Sequence, residues 1–442
     1  MSLPQVADAT ASSSEPSRPL APGRQWPGRP RFALSLAIIL QVLISAGDGL
    51  AMVALASRVY QTSHASWAVA SVFLAVTVPI TALAPVAGMV LDRFPVRPVL
   101  VTAAAAETLV ALALTRLTGT GAILGLSIGF GLCAAVLQPG LGTIVPRLAG
   151  STGVTRANGY LQAATWGGFT VGPLLAGVLT ATGGTGLALG AVAVMYGLGA
   201  IGLRMLPLSP AGPGTLATEP GSLATGPGSQ AADAGSPAAG ATGTLGRQLS
   251  AGLRFLRSDA EAGLLVLVVG VMVAFGNMAS VAEVAFAEGV LKAGPTGYSV
   301  LVAAWTAGML AGTLTGGRLP RRRLALATLL GTLIAGTGVA LAAGAVTLWQ
   351  AAAAYGIGGL ANGVEVVATR SFLNHRVPEA IAGRVFALYS GVLFGAASLG
   401  MAAAGGLLAP LNPRVVLLIA GGGGIVAAAL GWLRHTRLRT HK

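Results

Sequence analysis

The stretches GMVLDRFPVRP (residues 88–98) and TLTGGRLPRRR (residues 313–323) are two versions of one loop, and they decide the fold of this chain. Aligning them places Arg93 opposite Arg318, and each loop follows the second long apolar run of its own half of the chain. The loops after the fourth and tenth apolar runs also resemble each other. Echoed loops at matching positions predict an internal duplication of one structural unit.

The composition places the chain in a membrane. Of its 442 residues, 54% are hydrophobic and only 9% are charged, with a mean hydropathy of +0.77, which leaves too little polar surface for a water-soluble globule. A helical crossing needs about 20 apolar residues, and the runs lack the alternation of barrel strands. We therefore predict an all-α integral membrane protein with twelve transmembrane helices. The predicted spans are residues 33–57, 66–91, 99–118, 121–145, 159–181, 185–206, 262–286, 296–317, 323–344, 346–368, 383–409 and 414–434.

These spans divide the chain into two six-helix halves, because a Gly-, Pro- and Ala-rich segment separates the sixth span from the seventh. Such a composition cannot bury a core and is typical of a flexible linker. The predicted domains are a disordered cytoplasmic tail (1–32), an N-terminal half (33–206), a cytoplasmic linker (207–257), a C-terminal half (258–434) and a basic cytoplasmic tail (435–442).

The basic residues orient the chain, since Lys and Arg near span ends are mostly retained in the cytoplasm. With twelve spans, all 27 basic residues fall on the side of the two termini except Arg58, Arg116, Lys292 and Arg414. We therefore expect both termini in the cytoplasm and the protein in the plasma membrane. The net charge of +14 is dispersed over these loops, which argues against a nucleic-acid partner.

The loop at residues 88–98 resembles the signature of the major facilitator superfamily, which is a Gly, three variable residues, Asp-Arg and further basic residues. The matching positions are Gly88, Asp92, Arg93 and Arg97. The resemblance implies the two-half, twelve-helix fold of that family and a cytoplasmic gate built from charge-assisted hydrogen bonds. In the second copy Gly317 replaces the acid, so that a gate containing Arg318 is expected to be asymmetric.

The fifth span reads GGFTVGPLLAG (residues 167–177) and is similar to the Gly-Pro signature of exporters that work by antiport. Its candidate positions are Gly168, Gly172, Pro173 and Gly177. Glycine and proline permit a bend and close packing, here expected at the interface between the halves. Together with SAGDG (45–49), TRANGYLQ (155–162) and HRVPEAIAGRVFAL (375–388), this signature resembles the enterobactin-exporter-like and macrolide-efflux-like branch.

Asp48 is the strongest candidate for a substrate or proton site. Charged residues inside a membrane cost at least about 2.5 kcal/mol by insertion scales, so their retention suggests a function. Gln41, Ser45 and Asp48 lie on one face of the first span. The first, fourth, seventh and tenth spans line the cavity in the family fold, so Asp48 could bind a cationic substrate or a proton. The alternative is a structural carboxyl at a helix contact.

Further substrate or proton ligands are expected on the other spans that the resemblance places at the cavity, and they are Gln138, Asn277, Glu283 and Asn362. Trp166 and Trp305 lie in the middle of other spans and could stack on a substrate, with packing as the alternative. Glu283 is expected close to the outer surface, where it could simply be hydrated. Glu365 lies near the cytoplasmic end of its span, where it could pair with gate arginines, and Glu107 is expected to be structural. Many proton-coupled exporters carry an Arg in the fourth span, and Gln138 is the polar residue found there instead.

No enzyme is indicated, because the chain lacks a GxxxxGK[ST] phosphate loop and an HExxH motif. The four histidines fall in predicted loops or tails, so no metal site is expected, and no cofactor. The resemblance implies a monomeric secondary active transporter in the lipid bilayer. Its expected action is to export a drug-like molecule, a siderophore or another secondary metabolite by alternating access, in exchange for protons. The alternatives are an importer of a small metabolite with the same fold and a transport-inactive membrane sensor.

Overall fold

The computed structural model describes residues 29–63, 65–149, 154–206, 245–378 and 381–440. All regular elements in these ranges are helices. In chain order they are α1 (Arg29–Ser63), α2 (Ser66–Arg93), α3 (Val96–Arg116), α4 (Thr120–Ala149), α5 (Val154–Met205), α6 (Leu245–Ser258), α7 (Ala260–Ala285), α8 (Gly294–Gly316), α9 (Leu324–Gly344), α10 (Leu348–Arg376), α11 (Ala382–Leu407) and α12 (Pro413–Thr440). A π-helical turn, Phe286–Val290, extends α7, and a 3-10 turn, Arg321–Arg323, precedes α9.

Helix α5 contains two crossings. Its 52 residues would reach about 78 Å at the usual rise, far more than the roughly 30 Å of hydrocarbon in a bilayer. At Gly184 the backbone turns to φ 73° and ψ 179°, which favours glycine and separates arm α5a (154–183) from arm α5b (185–205). Eleven described helices are long and apolar enough to span a membrane. Counting both arms of α5 gives twelve crossings, so the predicted fold class is confirmed.

Two predicted domain boundaries differ from the helix ends. Helix α1 begins at Arg29 inside the predicted N-terminal tail, and α12 continues to Thr440 beyond residue 434. Helix α6 lies at the end of the predicted linker, and its last residue agrees with the predicted boundary within one position. The extension of α12 is packed and not free: His435 is buried beside Glu261, with Nδ1 and Oε1 3.4 Å apart. Assigning this histidine to a loop or tail was therefore wrong. The predicted tail up to residue 28 and linker residues 207–244 lie outside the described residues.

Small residues allow the helices to approach closely within each half. A methyl group on Gly172 of α5a would collide with the backbone of α1 at Ala46 and Leu50. Gly308 and Gly312 of α8 meet the backbone of α10 in the same way. Lipid provides no hydrophobic driving force between helices, so contacts of this kind hold each bundle together.

Two basic residues that lie away from the termini cap helices. The guanidinium of Arg58 on α1 is buried and donates to the carbonyl of Leu114 in the last turn of α3. Arg414 at the start of α12 donates to the carbonyl of Ala343 in the last turn of α9 at 2.7 Å. These carbonyls have no partner within their own helices, and cations are favourable at helix C-termini. Structural capping therefore accounts for two of the four exceptions to the charge bias.

The two halves meet at one end of the bundle. We call the end where α1 begins and α12 ends the terminal face, and the opposite end the far face. At the far face the Gln61 side-chain amide donates to Glu288 at 3.3 Å, and Thr296 Oγ1 donates to the carbonyl of Gly177 at 3.2 Å. Gly405 of α11 also packs against Trp67 and Ala70 of α2. These contacts close the far face.

Toward the terminal face the halves separate. At mid-depth Phe394 of α11 packs on a cluster that contains Ile80 and Ala135. Within the described ranges α4 makes no extensive contact with α10 or α11. The halves therefore diverge from the closed far face, and the space between them opens toward the terminal face.

Candidate functional site

A central cavity of about 380 Å³ lies between the two halves. Helices α1, α2, α4 and α5a line it on one side, and α7, α8, α10 and α11 line it on the other. Most of the wall is apolar. The acidic side chains in the wall are Asp48, Glu283 and Glu365. The cavity is large enough for a small organic molecule, and each half of the protein contributes at least one acidic side chain that could contact such a molecule.

Asp48 is held by two neutral donors from two other helices. The side-chain amide of Gln138 on α4 donates to one carboxyl oxygen, and the hydroxyl of Tyr196 on α5b donates to the other. Tyr196 is fully buried and fixed by an edge contact with Phe130, with ring centroids 5.5 Å apart. Gly47 gives the ring its space on α1, since a methyl group there would lie 3.3 Å from Tyr196. Asp48 is only partly buried, so its carboxyl also faces the cavity.

A second acid lies behind Asp48. Glu107 on α3 is fully buried, does not line the cavity, and interacts electrostatically with Asp48 and Tyr196. Neither of its carboxyl oxygens has a hydrogen-bond partner among the described residues. An unpaired carboxylate in so dry a place is costly, which favours the neutral acid. Glu107 therefore belongs to the same electrostatic unit as Asp48, although it is separated from the cavity.

Glu365 lies in a polar cluster of its own. The Asn362 amide donates to one of its oxygens at 3.0 Å, and Thr369 donates to the other at 3.2 Å. Thr369 is also within 3.1 Å of Thr328 on α9, and Gly331 on α9 leaves room for the glutamate side chain. Asn362 and Glu365 therefore lie on one face of α10. The described hydrogen bonds of Glu365 come from α10 itself and not from loop arginines.

Glu283 is more enclosed than expected. It lies near the far end of α7, but it is only 5% exposed and lines the cavity, so the prediction of a hydrated side chain was wrong. The reason is that the π-helical turn continues α7 beyond it and carries Glu288, which takes the surface position. Tyr298 and Tyr355, both buried, interact electrostatically with Glu283. The Glu283 side chain makes no hydrogen bond or ion pair within the described ranges.

The sequence matches the family model described as Major Facilitator Superfamily over residues 37–290, which is more than half of the chain. The chain belongs to the major facilitator superfamily. No curated protein matches the sequence significantly. The narrower enterobactin-exporter-like and macrolide-efflux-like branch therefore stays a prediction.

Solved structures of superfamily transporters have the same fold. The nucleoside transporter NupG gives a TM-score of 0.70 at 14% identity, covering 91% of this chain and 98% of that one. A mutant of NupG gives 0.69 at 14% identity, covering 91% and 99%. A bacterial homologue of the human lysosomal transporter Spinster, in an inward-facing and unoccupied conformation, gives 0.63 at 15% identity, covering 92% and 97%. Identities this low show the fold alone.

The Gly-Pro segment of this superfamily member has two kinds of contact. Gly168 and Gly172 pack against α1 in their own half, and Pro173 lines the cavity and touches Gly49. Gly177 packs against α8, where an added methyl group would lie 2.8 Å from the Ser299 side chain. The expected close packing between the halves is therefore found at Gly177, whereas the first two glycines serve packing within one half.

The predicted gate residues lie at the terminal face. Gly88 is half-buried near the end of α2, and Arg93, Arg97 and Arg318 lie at helix ends or in a turn with partly or fully exposed side chains. Their side chains form no ion pair with any described partner. The side chain of Asp92 lies outside the described residues. The separation of the halves at this face keeps the two copies of the loop apart.

Two further candidates have their polar groups bound locally. Gln41 donates to Ser45 at 3.0 Å and to Thr165 of α5a at 3.1 Å, and it does not line the cavity. The predicted polar stripe of α1 therefore divides into a structural pair and the cavity residue Asp48. Asn277 lines the cavity, but its amide donates to the carbonyl of Val273 on its own helix at 2.8 Å.

Sequence reasoning did not identify Tyr196 and Tyr355 as site residues, and it expected Glu107 to be structural. These two tyrosines lie inside apolar spans away from the ends where aromatic belts form, and the hydroxyl of a buried tyrosine usually has a hydrogen-bond partner. That position was a usable signal. Tyr298, in contrast, lies in the first turns of α8. Among the described residues no group of three His, Cys, Asp or Glu side chains could hold a metal ion.

Proposed function

We propose that the chain is a secondary active transporter of the plasma membrane that exports a small molecule by alternating access, in exchange for protons. The observation that supports this is the environment of Asp48. Its carboxyl faces a cavity between two halves, and its described hydrogen-bond donors, Gln138 and Tyr196, are neutral. A carboxylate without a compensating cation is costly to enclose, so closure of the cavity favours proton uptake.

In this proposal the terminal face is cytoplasmic, as the distribution of Arg and Lys favours. The structure then has its cavity open to the cytoplasm, ready to receive a substrate to be exported. Opening to the other side requires the far-face contacts to separate and the terminal face to close. The loops that carry Asp92, Arg93, Arg97 and Arg318 would approach one another in that state, with Glu365 nearby as an acidic partner.

The export direction is supported by the Gly-Pro segment of α5a, which resembles that of exporters. A drug-like molecule, a siderophore or another secondary metabolite fits the largely apolar wall with a few polar groups. NupG transports nucleosides, which are small polar molecules, and the fold it shares with this chain serves many substrates.

The test compares the accumulation of a panel of labelled compounds in cells with and without the protein, before and after a protonophore collapses the proton gradient. We expect at least one compound to accumulate less in cells that carry the protein, and the difference to disappear with the gradient. Higher accumulation would show import, which is the alternative. A decrease that survives loss of the gradient would rule out proton coupling.

A further inference from the structure

The three cavity acids differ in how well their oxygens are satisfied. Asp48 receives hydrogen bonds from Gln138 and Tyr196, and Glu365 receives them from Asn362 and Thr369. Glu283 receives none within the described part of the chain, and its buried Oε1 has no partner. Burying a hydrogen-bond acceptor without a donor costs the free energy of removing it from water. Glu283 is therefore the cavity acid whose hydrogen-bonding capacity is left for a ligand to satisfy.

Three aromatic residues line the same cavity as this carboxyl. Tyr298 on α8 and Tyr355 on α10 interact with it electrostatically, and the Trp305 and Tyr355 rings meet edge to face with centroids 5.8 Å apart. Gly358 of α10 permits this arrangement, because a methyl group there would lie 2.9 Å from the Trp305 ring. Trp305 is only partly buried and faces the cavity. The Tyr355 hydroxyl, like Glu283 Oε1, is buried without a hydrogen-bond partner among the described residues.

Positive charge is scarce at this end of the cavity. The basic side chain in the cavity wall is Arg370, which interacts with Glu365 and Tyr389. Arg414 approaches α7 from outside the cavity, where it lies over the Phe286 ring and donates to Ala343. The other charged group near this pocket is Glu288, which is acidic and interacts with Tyr298. No described basic side chain therefore neutralises Glu283, and a cationic ligand could do so in place of a proton.

The chemistry of the pocket favours an organic cation over a metal ion. Calcium and magnesium need several oxygen ligands, and here a single carboxylate lies in a part of the cavity wall that also contains aromatic side chains. A quaternary ammonium, phosphonium or protonated amine, in contrast, gains from a carboxylate and from aromatic faces together. The pocket lies at the closed end of the cavity, about one and a half helical turns before the far-face contact at Glu288.

We infer that Glu283, Tyr355 and Trp305 form the binding site for the positively charged end of an organic cation that this protein carries. The inference rests on the proposed transport function and assigns its substrate class. It also assigns a different role to each half. The carboxyl of Asp48 in the N-terminal half binds the proton, and the carboxyl of Glu283 in the C-terminal half binds the substrate.

The test is equilibrium binding of labelled tetraphenylphosphonium and benzyltrimethylammonium to the purified full-length protein, with uncharged triphenylphosphine oxide as competitor. We expect wild-type protein to bind at least one cation and the neutral compound to compete poorly. Glu283→Gln should weaken binding by about tenfold or more, since it removes the carboxylate assigned to the cation. Trp305→Leu should weaken it by about 2- to 30-fold through loss of the cation–π contact.

The matched control is Glu261→Gln, which makes the same change on the same helix at the terminal face and should leave affinity within about twofold. Glu283→Asp keeps the charge and should bind better than Glu283→Gln, so the comparison holds even if the amide variant purifies poorly. Failure of the wild type to bind either cation, unchanged affinity in Glu283→Gln, or equal competition by the neutral compound would each overturn the inference.

These outcomes are separate from those for the proposed function. Proton-driven export by a protein that binds no cation would reject the substrate assignment alone. Cation binding without proton-driven export would reject the transport proposal and leave the site standing.

Discussion

At the level of single residues, Asp48 brings three helices to one point. Its carboxyl joins α1 to α4 through Gln138 and to α5b through Tyr196, while Glu107 adds a second acid behind it. Protonation of Asp48 would change the charge felt by all of these groups at once. A local proton event can in this way alter the packing of three helices of one half.

We predict that Asp48→Asn abolishes gradient-dependent export and leaves expression intact. Asparagine keeps the size of the side chain and can still accept from Gln138 or Tyr196, but it cannot take up a proton. Export measured in cells should fall to the level of cells without the protein. Unchanged export by this variant would remove Asp48 from the mechanism, provided that the membrane contains as much variant as wild type.

The candidate site was predictable from sequence only in part. Asp48 was found because an acid inside an apolar span is conspicuous by itself. Its partner Tyr196 was not, because 148 positions separate the two residues and no local pattern indicates their contact. The burial of Glu283 was not predicted, because the continuation of α7 as a π-helical turn cannot be read from hydropathy.

At the level of helices, the contact between α1 and α5a depends on a glycine. We predict that Gly172→Val destabilises the protein by about 1–3 kcal/mol or more, because the side chain must displace the α1 backbone. A methyl group at Gly172 would already lie 2.8 Å from the Leu50 nitrogen. The unfolding midpoint in detergent should fall markedly for this variant.

Gly167→Val on the same helix is the control. A methyl group there would meet no atom of another described helix within 4 Å, so the midpoint of this variant should stay near that of the wild type. Equal behaviour of the two variants would show that the close contact of α1 with α5a does not limit stability.

Asp259 gives the terminal end of α7 a dependence on pH. It caps α7 by accepting from the Ala262 N–H at 3.1 Å, and it pairs with Arg376 of α10 at 2.6 Å. Burial alone would raise the pKa of Asp259, but the hydrogen bonds from Arg376 and Ala262 outweigh it and lower the pKa below the usual 3.8. A lowered pKa contributes stability above the unfolded value, and this stability is lost as pH falls through the folded value.

We predict that Asp259→Ala lowers stability at pH 7 by about 0.5–2 kcal/mol, mainly through loss of the cap. Asp259→Asn keeps the cap and loses the ion pair, so its cost should be smaller, about 0–1 kcal/mol. The difference between wild type and Asp259→Asn should shrink as the pH is lowered from 6 to 3 in thermal melts. A difference that is constant over this range would contradict the assigned pairing.

The helices themselves were largely predictable, because runs of about 20 apolar residues identify crossings independently of tertiary contacts. Even the break in α5 falls in the predicted connection at residues 182–185, at Gly184. The end of α12 was not predictable, since its polar last turns are helical only because His435 and Leu438 pack against α7.

At the level of the whole molecule, the closed far face and the diverging terminal face describe one of the two states that alternating access requires. We predict that cross-linking Gln61→Cys to Glu288→Cys with a short bifunctional thiol reagent stops transport, because the far face can then no longer open. The background variant is Cys133→Ala, which removes the single native cysteine. Each single-cysteine variant treated with the reagent is the control and should retain transport. Full activity of the cross-linked protein would show that this contact stays closed throughout the cycle.

The most direct test of proton-coupled export is transport into everted membrane vesicles, with a compound that the cellular assay identifies. Acidifying the vesicle interior should drive the compound inward in vesicles that carry the wild-type protein, and a protonophore should release it. Vesicles with Asp48→Asn should accumulate none above background. Accumulation that is the same with and without the pH gradient, or the same in both proteins, would contradict the account.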